Sequence, residues 1–473
     1  GRFKDAELLN HVALEQRKEV LGADHPHTLW AMENLAATYR ELGSYADAEL
    51  LFRVVLEKRK QLLGADHLDT LWAMENLAAT YRELGSYADA ELLFRVVLEK
   101  RKQLLGADHL DTLWAMRYLA ATYHQLGRYT DAELLEGVVL EKRKQLLGAD
   151  HPNTLSAMAN LAGTYHQLGR YADAEPLEGV VLEKRKQLLG ADHPDTLWAM
   201  ENLAATYRQL GRYPDAELLE GVVLEKRKQL LGADHPDTLW AMGNLAATYR
   251  QLGRYTDAEL LEGVVLEKRK QLLGADHPDT LLAMANLAAT YRQLGRYADA
   301  ELLEVVVLEK RKQLLGADHP YTLSAMANLA ATYHQLGRYA DAEPLEGVVL
   351  EKRKRLLGAD HPDTLLAMAN LAGTYRELGR YADAELLEAV VLEKRKQLLG
   401  ANHPDTLSAM GNLAATYQWL GRYTDAEPLE VVLLEKRKQL LGTDHPDTLS
   451  AMVNLAATYR QLGRYADAEL LQV

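Results

Sequence analysis

The sequence predicts an all-α fold, a right-handed α-solenoid superhelix of tandem two-helix repeats with a 42-residue period. Three observations carry this expectation. The string Ala-Asp-His-Pro-Asp-Thr-Leu recurs with small variations at a strict spacing, its histidines standing at His25, His67, His109, His151, His193, His235, His277, His319, His361, His403 and His445. Within each interval, apolar residues fall three and four apart, the spacing of one helix face. Most glycines and prolines fall at fixed phases of the repeat, where helices start and stop.

Each repeat reads as two helices. The first runs from about Thr28 to Leu42, with Leu29, Met32, Leu35, Ala36, Tyr39 and Leu42 on its apolar face. Asp24, Pro26 and Thr28 mark its start, because side-chain acceptors and an early proline suit a helix N-terminus. Gly43 ends it by taking a left-handed backbone. The second helix runs from about Ala46 to Leu63, with Ala48, Leu51, Val54, Val55, Leu62 and Leu63 expected to face inward, and Gly64 stops it. A two-residue connection between the helices is expected, which enforces an antiparallel hairpin. One solenoid over residues 1–473 follows. It has a partial repeat at 1–21, then 22–63, 64–105, 106–147, 148–189, 190–231, 232–273, 274–315, 316–357, 358–399, 400–441 and a shortened 442–473. Half-repeats at both ends are expected of a fragment of a larger protein.

Composition narrows the function classes. A chain of 473 residues would ordinarily suggest about three globular domains, but a repeated unit buries a row of small cores instead. With 54 basic and 68 acidic residues the formal net charge is −14. That balance argues against nucleic acid, whose binding rests on phosphate neutralisation. No cysteine is present, which removes disulfides and thiolate chemistry and fits a reducing, cytoplasmic compartment. No apolar run approaches a membrane span.

The repeat resembles the tetratricopeptide repeat, and Leu35-Ala36, Tyr39, Gly43, Tyr45 and Ala48 carry the resemblance. The 42-residue length, the Leu-Gly-Ala-Asp-His-Pro-Asp-Thr-Leu junction and the Ala-Glu-x-Leu start of the second helix look like the kinesin-light-chain type. Repeats of this type also form sensor arms of microbial NLR-like signalling NTPases. The resemblance implies a concave groove that holds extended peptides. Two departures stand out. Phe52 and Phe94 supply the aromatic expected four residues after the alanine, but Glu136 through Glu430 replace it later, which is expected to loosen that packing site. Gly137, Gly179, Gly221, Gly263 and Gly347 follow those glutamates. Each costs about 1 kcal/mol against alanine in a helix interior, so close approach of a neighbouring helix is the expected reason.

Packing demands are the same in every repeat, so function is sought where the copies differ. On the first helix the phases of Trp30, Glu33, Asn34, Ala37, Arg40 and Glu41 form a second stripe away from the packing face. Trp30, Trp72, Trp114, Trp198 and Trp240 share one phase, which other repeats fill with serine or leucine; Trp419 lies at the phase of Glu41. These rings either anchor a ligand, as binding hot spots do, or pack on the next repeat. Asn34, Asn76, Asn160, Asn202 and Asn244 belong to a ladder broken at Tyr118. Its amides either pair with a peptide backbone or bond the next helix. Arg40, Arg82, Arg208 and Arg250 form a basic line that either selects a carboxylate or pairs with nearby acids such as Glu33 and Glu41. Arg117 and Tyr118, beside Trp114 and His124, make the third repeat the most distinctive.

The Asp24-His25 pair is read as a cap and loop brace, and the Lys58-Arg59-Lys60 cluster as a solvated helix face. No phosphate loop, nucleophile elbow or metal-spaced His/Cys set is present. No catalytic, cofactor or metal site is therefore expected, and the protein is read as no enzyme. The main expectation is a scaffold or ligand-sensing arm binding a peptide or partner protein, with neither nucleic acid nor membrane as partner. The alternative is a structural solenoid that self-associates head to tail.

Overall fold

A computed structural model describes residues 2–471; Gly1, Gln472 and Val473, which the expected repeats include, lie outside it. The described residues form 23 α-helices and no strand. They divide into two compact units, residues 1–230 and 231–473. In the N-terminal unit each helix from Arg2–Leu21 to Pro194–Gln209 packs on its neighbours in the chain. In the C-terminal unit the same holds from Pro236–Gln251 to Tyr465–Glu469.

Each hairpin follows from its local chemistry. The first helix of one repeat is Pro26–Glu41 and the second Tyr45–Leu63, so the connection is three residues rather than two. The N-cap is His25, not Asp24 or Thr28. Its imidazole Nδ1 accepts the His27 N–H, and His67, His109 and His235 repeat the bond two residues on. Asp24 instead pairs with Lys58 at 2.9 Å. Thr28 donates its hydroxyl to Gly22 O, as Thr70 does to Gly64 O, locking the preceding loop to the first turn. Gly43 and Gly64 carry φ of 79° and 90°, a region open to glycine without a Cβ clash.

Within each unit the core is a row of small clusters. Leu29, Ala31, Met32, Leu35 and Ala36 from the first helix meet Ala48, Phe52, Val55 and Leu56 from the second. Val54, Leu62 and Leu63, expected inside, are exposed, because the inward face is the line 48, 52, 55, 56 and theirs is a neighbouring one.

The glutamates from Glu136 onward do not loosen their site. Glu136, Glu178, Glu262 and Glu304 are buried and accept the hydroxyl of Thr164, Thr206, Thr290 and Thr332 from the following repeat. Nor does a close neighbour explain the glycines beside them. A Cβ added at Gly137, Gly179, Gly221, Gly263 or Gly347 would meet nothing within 4 Å. The Lys58-Arg59-Lys60 cluster is only partly a solvated face. Arg59 pairs with Glu33 at 2.8 Å and donates to Asp69 O.

Candidate functional site

The second stripe of the first helices is present and unevenly furnished. Trp30, Trp72, Trp198 and Trp240 are 44–52% exposed, and Trp114 is half-buried. Guanidiniums flank Trp30, Trp114 and Trp198. The guanidinium carbon of Arg17 lies 5.2 Å from the Trp30 ring centre, and that of Arg185 5.4 Å from Trp198. Rings held on one side and open on the other present apolar area at low entropic cost. Trp419 is 68% exposed and stacks on Tyr381 at 5.7 Å.

The richest part lies in the N-terminal unit. Arg40, Trp72, Glu75, Asn76, Arg82, Phe94, Arg101, Trp114 and Tyr118 line a groove of about 710 Å³. Tyr118 stacks on Phe94 with ring centres 5.7 Å apart and lies 6.2 Å from Trp114. In the C-terminal unit, Trp240, Asn244, Glu262 and Arg269 border a smaller cavity of about 130 Å³.

Asn34, Asn76, Asn160, Asn202, Asn244, Asn286, Asn328 and Asn412 are half-buried, whereas Asn370 and Asn454 are exposed. Among the described residues, the side-chain amides of Asn34, Asn76, Asn160 and Asn202 make no hydrogen bond to a next helix. Their backbone carbonyls are used locally; Asn34 O and Asn76 O accept the hydroxyls of Thr38 and Thr80.

The arginine line divides into two kinds. Arg208, Arg250, Arg292 and Arg376 pair with Glu220, Glu262, Glu304 and Glu388. These partners sit on the second helix, not at the phases of Glu33 and Glu41 as expected. Burial holds the carboxyls of Glu262, Glu304 and Glu388 above the usual range, against the pull of arginine and threonine. Arg40 and Arg82 have Phe52 and Phe94 at that place instead. Among the described residues neither makes an ion pair, and the buried Nε of Arg82 has no hydrogen bond. His124 belongs to the inter-repeat network too. Its Nε2 lies 2.7 Å from Thr164 Oγ1 and 3.5 Å from Glu136. Since Thr164 gives its only hydroxyl proton to Glu136, the imidazole must be the donor to Thr164.

Sequence reasoning missed this Glu–Thr network, although a signal was there. Glu136 sits among Ala132, Val139 and Leu140 on the apolar face of its helix, and a carboxylate there requires a buried partner. Among the described residues, no group of three His, Cys, Asp or Glu side chains is placed to hold a metal ion, and no helix is long and apolar enough to cross a membrane.

Comparison with known proteins accords with this geometry. A tetratricopeptide repeat model matches residues 1–27, 28–69, 70–111, 112–153, 154–195, 196–237, 238–279, 280–321, 322–363 and 364–405, and a second matches 405–472. No curated protein matches the chain. Among solved structures, a Podosopora anserina protein described as a kinesin light chain with nearly identical TPR-like repeats is 27% identical. That match covers 43% of this chain and 97% of that one, with a TM-score of 0.39. The apo form of RapI is 13% identical over 78% of this chain and 98% of its own, with a TM-score of 0.54. The apo form of the quorum sensor NprR from B. thuringiensis is 15% identical over 79% and 97%, with a TM-score of 0.50. The last two likenesses are of fold.

Proposed function

This chain belongs to the tetratricopeptide repeat family, and from that premise we propose that its first-helix face grips an extended segment of a partner protein. The observation that carries the reading is the groove around Trp72, Trp114 and Tyr118. Open aromatic rings lie there beside the Asn76 amide, whose donors and acceptor are unspent. Aromatic side chains supply the buried area of a hot spot, and a spaced row of free amides suits the main chain of an extended peptide. The charge preference narrows to Arg40 and Arg82, because Arg208 and Arg250 are occupied by their own glutamates. On this reading the chain is a non-catalytic arm of a cytoplasmic signalling or adaptor protein, with neither nucleic acid nor membrane as its partner.

A random peptide library panned on the full chain supplies the probe for a test. The Trp72→Ala, Trp114→Ala double variant is expected to weaken the selected peptide at least about tenfold, the scale of one hot-spot truncation. Helical circular dichroism and Tm should stay near those of the parent, because both rings are largely outside the core. Unchanged peptide affinity, or a collapse in Tm that accounts for the loss, would refute the reading.

A further inference from the structure

The third repeat reverses a charge that its neighbours keep. Glu33, Glu75 and Glu201 stand at one phase of the first helix, and each pairs at 2.8 Å with an arginine of the second helix, Arg59, Arg101 and Arg227. Arg143 is the corresponding arginine of the third repeat, and Arg117 occupies the place of its carboxylate. Repeats without the glutamate otherwise carry a neutral residue there, such as Ala159, Gly243, Ala285 or Val453. Two guanidiniums facing each other are therefore peculiar to this position.

Their surroundings do not neutralise them. Arg143 is 3% exposed, and its hydrogen bond is a donation to Asn153 O at 3.0 Å. Arg117 makes no ion pair among the described residues; it lies over the rings of Trp114 and Tyr118 at 5.0 and 5.9 Å. Arg143 approaches the same Trp114 ring at 5.2 Å. Glu136 lines the small cavity between them, but its carboxylate is engaged by Thr164 and His124. Burial first, and then the charge of Arg117, pushes Arg143 below the usual arginine range. Burial also lowers Arg82, which feels Arg117 as well, despite the opposing pull of Glu83 beside it. Arg117 and Arg143, facing each other over the same Trp114 ring, repel in a half-dry setting, where an unpaired charge is costly.

We infer that Arg117 and Arg143 form an oxyanion site that takes a phosphoryl group borne by the partner segment on the first-helix face. The inference rests on the peptide-binding reading for its bearer, but the anion site itself stands on the charge reversal. A carboxylate brings one charge and two oxygens. A phosphoryl group brings about 1.5–2 charges and three acceptor oxygens, closer to the demand of two unneutralised guanidiniums. Arginine forks bind such planar pairs of oxygens bidentately.

Thermal unfolding of the full chain tests the site without any peptide. Inorganic phosphate should raise Tm above a sodium chloride control of equal ionic strength, and above acetate. Arg117→Glu rebuilds the pair seen between Glu75 and Arg101, so this variant should be more stable than the parent without phosphate and indifferent to its addition. No rise with phosphate, or a rise that Arg117→Glu retains, overturns the site; an equal rise with acetate overturns its phosphoryl preference. A phosphoserine version of the library-selected peptide should bind about tenfold tighter than the unmodified form, an advantage lost in Arg117→Glu. If the phosphoserine gains nothing while free phosphate still stabilises, the site takes a small anion and the peptide-borne assignment is overturned. Because the phosphate response is read without peptide, its failure leaves the peptide reading to the tryptophan variants.

Discussion

A phenol ring and a glutamate recur side by side along the array, and the chain brings a guanidinium to them by two routes. In the first repeat Arg53, on the second helix, donates to the Tyr81 hydroxyl at 2.8 and 3.0 Å and pairs with Glu49. In the repeat of Gly137 the cation comes instead from the next loop. Arg170 lies 4.6 Å over the Tyr165 ring and bonds Glu133 and Asp173. Ser86 stands where Arg170 would be in the first arrangement, whereas the second repeat carries both cations, Arg95 and Arg128 pairing with the same Glu91, so either route reaches the site. This frees the phase of Gly137 from any bonding duty and leaves open space beside it. Arg170→Ser alone is therefore expected to lower Tm. Adding Gly137→Arg should recover more than was lost, since it restores the cation and removes a glycine worth about 1 kcal/mol of helix propensity. The control is Arg170→Ser with Gly137→Ala, and recovery no better than this control's would show that propensity alone is at work. The sequence displayed both residues of each exchange, but reading them as one site needed the knowledge that loop and helix meet at the same tyrosine.

Each hairpin is held by caps and cross-helix ion pairs. The Asp24-His25 pair was legible as a cap, but not which of the two caps: His25 accepts the N–H while Asp24, the better-known N-cap type, pairs with Lys58. The glutamates facing the second helix were legible only as groove residues. Burial raises the carboxyls of Glu33 and Glu75 to about 7 despite Arg59 and Arg101 beside them. Both values lie above the 4.5 of the free group, so protonation favours the folded hairpin. The resulting stabilisation is complete below about pH 4.5 and is lost as pH rises through about 7. Compared with the Glu33→Gln, Glu75→Gln double variant, the parent should gain stability steadily as pH falls from about 8 to about 5. Parallel Tm profiles for the two proteins across this range would contradict the assignment, and the comparison cancels every other titrating group common to both.

Across the molecule, the 42-residue period made the helices, their order and the core face of the first helix readable, since one residue type at one phase fills one gap in every copy, while the second helix's inward line was set partly on the exposed Val54, Leu62 and Leu63. It could not reveal what joins one repeat to the next, because those bonds run between residues 28 and 40 apart in the chain. Glu304 illustrates the joint. It accepts Thr332 from the following repeat and Arg292 from its own first helix, tying three helices through one buried carboxylate. In the repeats with phenylalanine the joint is apolar, and the threonine turns back to its own helix, as Thr80 does to Asn76 O at 2.8 Å. Both solutions couple nearest neighbours only, so damage should stay local, as in a one-dimensional array. Glu304→Ala strands the Arg292 guanidinium and is expected to cost about 3 kcal/mol, the scale of a broken buried pair. Hydrogen exchange should then show lost protection in Pro278–Gln293, Tyr297–Leu315 and Pro320–Gln335 while Leu68–Glu83 keeps its own. Glu304→Phe should recover part of the loss, because Phe94 shows that the phase accepts a ring beneath an arginine phase without exposure. Equal loss of protection in Leu68–Glu83 would mean that the chain unfolds as one cooperative body and that the Glu–Thr joints do not set its boundaries.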